Sequence, residues 1–212
     1  HKFDPAERPI GDLLTEGFDR AFVILHGRGG EDGSMQGALQ TLGIPYTGTG
    51  VLGSALAMDK VYSKQVWSAL GLPTAKYRVV RKSDIDGLDY DETLQYLGGI
   101  AMVNPAREGS SIGMAKVADR EELRAAVIEA LKYDDDVLVE CYIDGPEYTI
   151  SILNGQALPS IRMSTPHVFY DYDAKYKEGG SSHIVPADVP AEIFELCLDY
   201  ALRAHNALGC RG

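Results

Sequence analysis

The chain has 212 residues, 45% of them hydrophobic and 24% charged, with a formal net charge of -11. That length supplies a sizeable core for one or two domains, and the composition is that of a soluble globular protein. So acidic a chain lacks the basic footprint of a nucleic-acid binder. No apolar run approaches the roughly 18 residues that span a bilayer, and no signal peptide is visible.

An anionic ligand would need local cations against this acidic background, and Lys60, Arg107, Lys116 and Lys175 are available. Cys141, Cys197 and Cys210 are odd in number and lack metal-ligand spacing. They read as reduced thiols of a cytoplasmic protein, with Cys197 packed as a small hydrophobe. The chain starts at His1 rather than Met and stops at Gly212 just after an apparent helix, so trimming at both ends is expected.

Residues 1–19 are polar, and Gly11 to Gly17 reads as a short helix. Arg20 to Leu25 is a near-continuous apolar run, which predicts a buried parallel strand. The Gly-rich loop His26 to Gly33 follows at its carboxyl end, where open α/β sheets bind ligands. His26 can donate, accept or carry charge near neutral pH, although a structural hydrogen bond in a loop explains it equally well. Asp32 is the expected N-cap of a helix carrying Met35, Ala38, Leu39 and Leu42, stopped at Gly43. Ile44 to Gly50 is a turn-rich crossing. Asp59-Lys60 opens a second helix with Tyr62, Val66, Ala69 and Leu70 on one face, ended by Gly71 and Pro73.

Lys76 to Val80 predicts a strand, and Asp84 to Leu97 an exposed helix. Next, Ile100 to Val103 and Ile112 to Val117 read as short strands around a polar turn. Gly109 there allows close approach to the main chain. Ser110 and Ser111 add hydroxyl donors, and Arg107 a forked donor suited to phosphate or carboxylate. Such a unit could fold over a phosphate chain; by composition alone an ordinary β-hairpin is the plainer reading. Asp119 caps a predicted helix through Lys132, with Leu123, Ala126, Val127, Ala130 and Leu131 inward and Glu121 and Glu122 suiting the amino end of its dipole.

Asp136 to Ile143 begins as a buried strand and runs into a connector. Gly145 to Leu153 predicts another strand, turned by Asn154-Gly155, with Ala157 to Met163 pairing back. Residues 164–187 are long and irregular and carry Phe169, Tyr170, Tyr172 and Tyr176; loops of this length are often lids. Pro190 to Leu208 closes the chain as a helix with a core stripe of Phe194, Cys197, Ala201, Ala204 and Leu208. No internal repeat or low-complexity segment is present.

Four stretches in this order, Leu25 to Gly33, Met58-Asp59-Lys60, Val103 to Val117 and Phe169 to Tyr176, resemble the D-alanine–D-alanine ligases of the ATP-grasp superfamily. The resemblance runs from about Asp4 to Gly212. It implies an α/β chain (α+β elements): an ATP-grasp fold with a Rossmann-like amino-terminal domain, truncated at both ends. Residues 1–48 would be the remainder of the substrate-binding domain and 49–140 the central ATP-grasp subdomain. Residues 141–212 would be the first part of the carboxyl-terminal subdomain with its lid loop. The implied cofactors are ATP and Mg2+ (or Mn2+), and the implied partners two D-alanines, in a cytoplasmic homodimer serving peptidoglycan synthesis. ATP phosphorylates the first D-alanine carboxylate, the amine of the second attacks the acyl phosphate, and phosphate leaves. Positioning and cations carry such a transfer, and a closed lid keeps out water.

By the same resemblance, ATP contacts fall to Lys60, Asn104, Ser111, Glu140, Cys141, Ile143, Glu147 and Lys175. Lys60 would meet phosphate, Glu140 the adenine edge beside main chain near Ile143, Glu147 the ribose, and Lys175 the transferred phosphoryl. Ser110, Lys175 and Tyr176 form the implied catalytic set, and His26, Ser110 and Tyr176 the substrate contacts. Metal ligands are expected beyond Gly212. The pair Lys175-Tyr176 favours D-alanine over D-lactate or D-serine as second substrate.

The chain departs from the family pattern at three places. Asn104 stands where the family carries a phosphate-binding lysine. A charge-assisted bond contributes roughly 1.5–3 kcal/mol, so about ten- to hundredfold weaker nucleotide binding is expected unless another cation compensates. A catalytically impaired nucleotide-binding relative is therefore the alternative. Cys141 stands where the hinge usually has lysine. The family's carboxyl-terminal third and its amino-terminal substrate loop are not among these residues, which on their own are expected to be inactive.

Overall fold

The structure, a computed structural model, describes residues 1–165 and 181–211. Phe169, Tyr170, Tyr172, Lys175 and Tyr176 lie outside the described residues.

Apolar alternation builds the centre. Strands β1 (Tyr77–Arg81), β2 (Ala101–Pro105), β3 (Ala115–Val117) and β4 (Asp136–Cys141) form an antiparallel sheet in the order β1-β4-β2-β3. Val80, Ala101, Val103, Val117, Val137 and Val139 face one way. They pack against Tyr90, Leu94 and Leu97 of helix α4 (Tyr90–Leu97) and Leu123, Val127 and Ala130 of α5 (Arg120–Ala130). Burial of each Val or Leu contributes about 1.5–3 kcal/mol, so this face holds the unit together. The opposite face carries Leu138 with Tyr77 and Val79, covered in part by Ala106 and by Val61 of α3 (Lys60–Ala69). Its uncovered part is where polar side chains stand.

The helices correct two expectations. Asp84 to Leu97 is not one exposed helix. A single 3-10 turn at Ile85–Gly87 precedes α4, whose Tyr90, Thr93, Leu94 and Leu97 are buried. Asp89 restarts the helix by accepting from the Glu92 N–H at 2.9 Å. In α3, capped as expected by Asp59, the inner face is Val61, Ser63 and Lys64. Tyr62 and Leu70 are instead 55% and 56% exposed. Lys64 finds its polar partners, Glu140 and Thr74, on this inner side, while buried Asp59 accepts from the helix's own first N–H groups. Asp119 caps α5 as expected.

The amino-terminal part clusters Leu13, Met35, Leu39 and Ile44, with α1 (Ser34–Thr41) and a 3-10 turn at Ile10–Leu14. The cap position of α1 is Gly33 rather than Asp32. Gly33 has φ +91, and a Cβ there would lie 2.7 Å from the Val51 carbonyl oxygen. Asp32 still accepts from the Ser34 N–H at 2.9 Å. The run Arg20 to Leu25 forms no ladder among the described residues, only an isolated parallel bridge from Ala21 to Tyr46. Ala21, Val23 and Leu25 pack on the cluster. Phe22 and Ile24 face away, 77% and 67% exposed. A parallel strand needs cover on both faces, and among the described residues only one is covered. Helix α2 (Val51–Met58) follows the crossing and was not expected.

Beyond the sheet, β5 (Glu147–Thr149), β8 (Ile161–Ser164) and β9 (Ser182–Ile184) pair as a second sheet. Between them β6 (Ile152–Leu153) and β7 (Gln156–Ala157) form the expected hairpin, with Asn154 and Gly155 at φ 51 and 74. The two longer strands expected here are each broken in two. The last helix, α6 (Ala191–Ala207), buries no residue fully, contrary to the expected core stripe. Phe194, Cys197, Ala201 and Ala204 are half-buried, and only Leu208 beyond the helix end is buried. Trp67 of α3 donates to the Ala204 carbonyl at 3.1 Å. Thr49 and Arg211 exchange two bonds, at 2.8 and 2.9 Å. The three cysteines are free.

Candidate active site

The loop between β2 and β3 is built from its root upward. Lys60 sends its ammonium to the carbonyls of Pro105 at 2.9 Å and Glu108 at 2.6 Å, and its backbone N–H to the Ala106 carbonyl at 3.0 Å. Burial lowers the pKa of Lys60, against the opposing pull of Glu108, Asp134, Glu140 and Asp59. At the turn, Ser110 and Ser111 have φ 52 and 59. Two successive non-glycine residues in the left-handed region cost about 1 kcal/mol each, a kind of strain that clusters at ligand clamps and switch regions. Gly113 closes the turn with φ +69, between Pro105 and Tyr133.

Glu140 stands on the half-covered face of the sheet. β2 and β4 pair Met102 with Glu140 and Asn104 with Leu138, so Asn104 and Glu140 are diagonal neighbours on one face. The Asn104 amide donates to Glu140 Oε1 at 3.1 Å. Lys64, one turn after Lys60, donates to Glu140 Oε2 at 2.8 Å and to the Thr74 hydroxyl at 2.7 Å. Lys64 is 5% exposed and Asn104 2%, while the Glu140 side chain keeps 24% of its surface open. Sequence reasoning missed Lys64, although its i, i+4 spacing from Lys60 puts both on one helical face.

A second charge cluster pins the loop root to the Gly-rich loop. Arg107 donates to Asp134 through its backbone N–H at 2.9 Å, Nε at 3.0 Å and a terminal nitrogen. Arg28 reaches Asp134 at 3.4 Å and the Tyr133 carbonyl at 2.8 Å, and also bonds Glu108. Burial alone would raise the pKa of Asp134, but the Arg107 and backbone donors prevail and hold it below the usual value. The hydrogen bonds to Asp134 push Arg107 upward. Arg107 is thus committed to carboxylates, and Lys116 stacks over the Tyr142 ring at 3.7 Å.

The remaining sequence-derived residues ring this centre. Cys141 ends β4, its N–H donating to the Lys76 carbonyl at 2.8 Å. Ile143 is 70% exposed in the connector, and Glu147 is exposed on β5. His26 lies apart, highly exposed on a cleft of about 540 Å³ shared with Glu31, Gln36 and Ser54. The Gln36 amide oxygen in that cleft is buried without a partner among the described residues. A neighbouring cleft of about 400 Å³ is lined by Arg28, Asp59, Tyr62 and Arg107. Among the described residues no three acidic, His or Cys side chains gather to hold a metal, and no helix is long and apolar enough to cross a membrane.

The fold and site define an ATP-grasp protein. The chain resembles the crystal structure of D-alanine–D-alanine ligase from Bacillus anthracis, with TM-score 0.82 and 36% identity over 95% of this chain and 66% of that one. The same enzyme complexed with ATP gives TM-score 0.80 and 33% identity, over 95% and 64%. Residues 4–49 match the profile described as D-ala D-ala ligase N-terminus, and residues 66–212 that described as D-ala D-ala ligase C-terminus. The D-alanine–D-alanine ligase of Pseudoalteromonas atlantica is 54% identical over the whole chain and 67% of its own length. The chain therefore belongs to the D-alanine–D-alanine ligase family, and it spans about two thirds of the length of these relatives.

Proposed function

We propose that this protein is an ATP-dependent ligase that joins two D-alanines through an acyl phosphate, making D-alanyl-D-alanine for peptidoglycan synthesis. The observation that carries the reading is the β2–β3 unit. Its loop is anchored at the root by Lys60 and Arg107, turns on two left-handed serines, and stands beside the half-open carboxylate of Glu140. Phosphoryl transfer asks chiefly for positioning and for donors against spreading oxygen charge. In this reading Lys60, Asn104 and Ser111 serve the phosphates. Glu140, Cys141, Ile143 and Glu147 serve base and ribose. His26 and Ser110 meet D-alanine, and Lys175 and Tyr176 complete the site from the lid segment.

The same reading divides the chain at residues 48 and 140. It takes the first part as Rossmann-like, with the Ala21–Tyr46 parallel bridge in support. It includes Mg2+, a homodimer and a cytoplasmic location, all as family expectations. The described residues gather no metal-ligand cluster, so no step is assigned to the metal.

The test is ATP-dependent phosphate release by the full-length gene product, with D-alanine alone and with D-alanine plus D-lactate. Release with D-alanine alone, yielding the dipeptide, is the expected result. Release only with D-lactate present would indicate a ligase of different second-substrate choice. No release with either, from a folded protein, would sink the ligase reading in favour of the impaired relative that Asn104 suggests.

A further inference from the structure

We propose that Lys64 is a positioning residue of the nucleotide site: through Glu140 it sets how tightly the site takes ATP and how well it distinguishes adenine from guanine. This rests on the nucleotide reading above and deepens it. The Glu140 carboxylate is held from two sides, by the Lys64 ammonium on Oε2 at 2.8 Å and the Asn104 amide on Oε1 at 3.1 Å. Each oxygen keeps a lone pair for another donor. Lys64 is itself fixed by the Thr74 hydroxyl at 2.7 Å and lies 5.1 Å from the Tyr77 ring centroid. Its burial leaves it little freedom to point elsewhere.

Two consequences follow from elementary electrostatics. A carboxylate without its cation would oppose the charge of a nearby triphosphate, and in a partly desolvated site that opposition is weakly screened. Since Asn104 is neutral, Lys64 is the cation that meets Glu140 directly among the described residues. It thereby offsets the loss of affinity that Asn104 by itself implies. A carboxylate lone pair also accepts from the exocyclic amine of adenine but repels the carbonyl oxygen that guanine carries at the same edge. Holding both oxygens fixes the direction of that lone pair, so base choice depends on Lys64 as well.

The experiment uses the full-length gene product and steady-state kinetics with ATP and with GTP. Lys64→Met is expected to raise KM for ATP by about ten- to hundredfold, with kcat changed less than about threefold. The preference for ATP over GTP should fall by about tenfold. Adding Asn104→Lys to Lys64→Met supplies a cation at the other carboxylate oxygen and should return both quantities towards the parent. Unchanged KM and base preference in folded Lys64→Met would overturn the proposal. If that variant does not fold, Lys64→Arg decides: it keeps a cation at Glu140 but not the fixed bond to the Thr74 hydroxyl, so a reduced preference for ATP over GTP supports the proposal, and an unchanged preference overturns it. Absence of ATP-dependent phosphate release from the unaltered protein is a separate failure, since it removes the nucleotide reading itself.

Discussion

Asp134 and Glu140 flank the same strand, one just before β4 and one near its end, and they are partnered in opposite ways. Asp134, with 1% of its side chain exposed, accepts from two arginines and from the backbone N–H groups of Arg107 and Asp136. Among the described residues Glu140 accepts from one lysine and one amide, and it remains partly open. A saturated carboxylate has nothing left to offer a ligand and serves as a fastening. A half-saturated one of fixed orientation can receive a further donor. The contrast separates a carboxylate that fastens the loop from one that stays open to a further donor.

The sharpest way to break this contrast is Asp134→Ala. It strands two guanidinium groups and two backbone donors, and since both arginines are partly exposed a loss of about 3 kcal/mol in unfolding free energy is expected, read by denaturant titration. Because the folded-state pKa of Asp134 is depressed, its stabilisation is fully present above the ordinary carboxylate value of about 4 and lost as pH falls through the folded value. Asp134→Asn should remove that acid-dependent component, and an unchanged acid limb would contradict the fastening role. Gly113→Ala comes next. Its Cβ would meet Pro105 and Tyr133 at 2.9 Å each, at φ +69, which costs about 2 kcal/mol. If the two ends of β4 are independent, ATP affinity of this variant stays near the parent's. The smallest effect belongs to Asn104→Lys alone. With Lys64 already at Glu140, the gain in ATP affinity measured by calorimetric titration should be within about threefold, well short of a full charge-assisted bond. A tenfold or larger gain would say that the Glu140 end lacks a cation.

The core of the central unit is legible in the sequence because its signals are local: the apolar positions of Val103 and Val137 to Val139, the Asp119 cap and the Asn154-Gly155 turn. The strand–loop–strand around Ser110 is legible for the same reason. Arg20 to Leu25 is legible as an apolar run, but an apolar run does not name its partner strand, and among the described residues only the Ala21–Tyr46 bridge pairs with it. The inner face of α3 misleads because it mixes apolar Val61 with the polar Ser63 and Lys64. Beyond the spacing of Lys64 from Lys60, nothing local marks Lys64 or Asp134. Their partners lie 76 residues away at Glu140 and 106 away at Arg28, and a lysine or aspartate by residue type alone reads as solvated.

The paired bonds between Thr49 and Arg211 join positions 162 residues apart. Their consequence concerns the order of assembly. Loop-closure entropy must be met before such a contact returns any free energy, whereas β1 to β4 pair within a span of 65 residues, from Tyr77 to Cys141. The sheet can therefore form first and the clasp last, and a clasp with few buried atoms also opens first. Amide hydrogen exchange is expected to be far faster at Arg211 than at Val139. Equal protection at the two would mean that the Thr49–Arg211 clasp opens only together with the sheet.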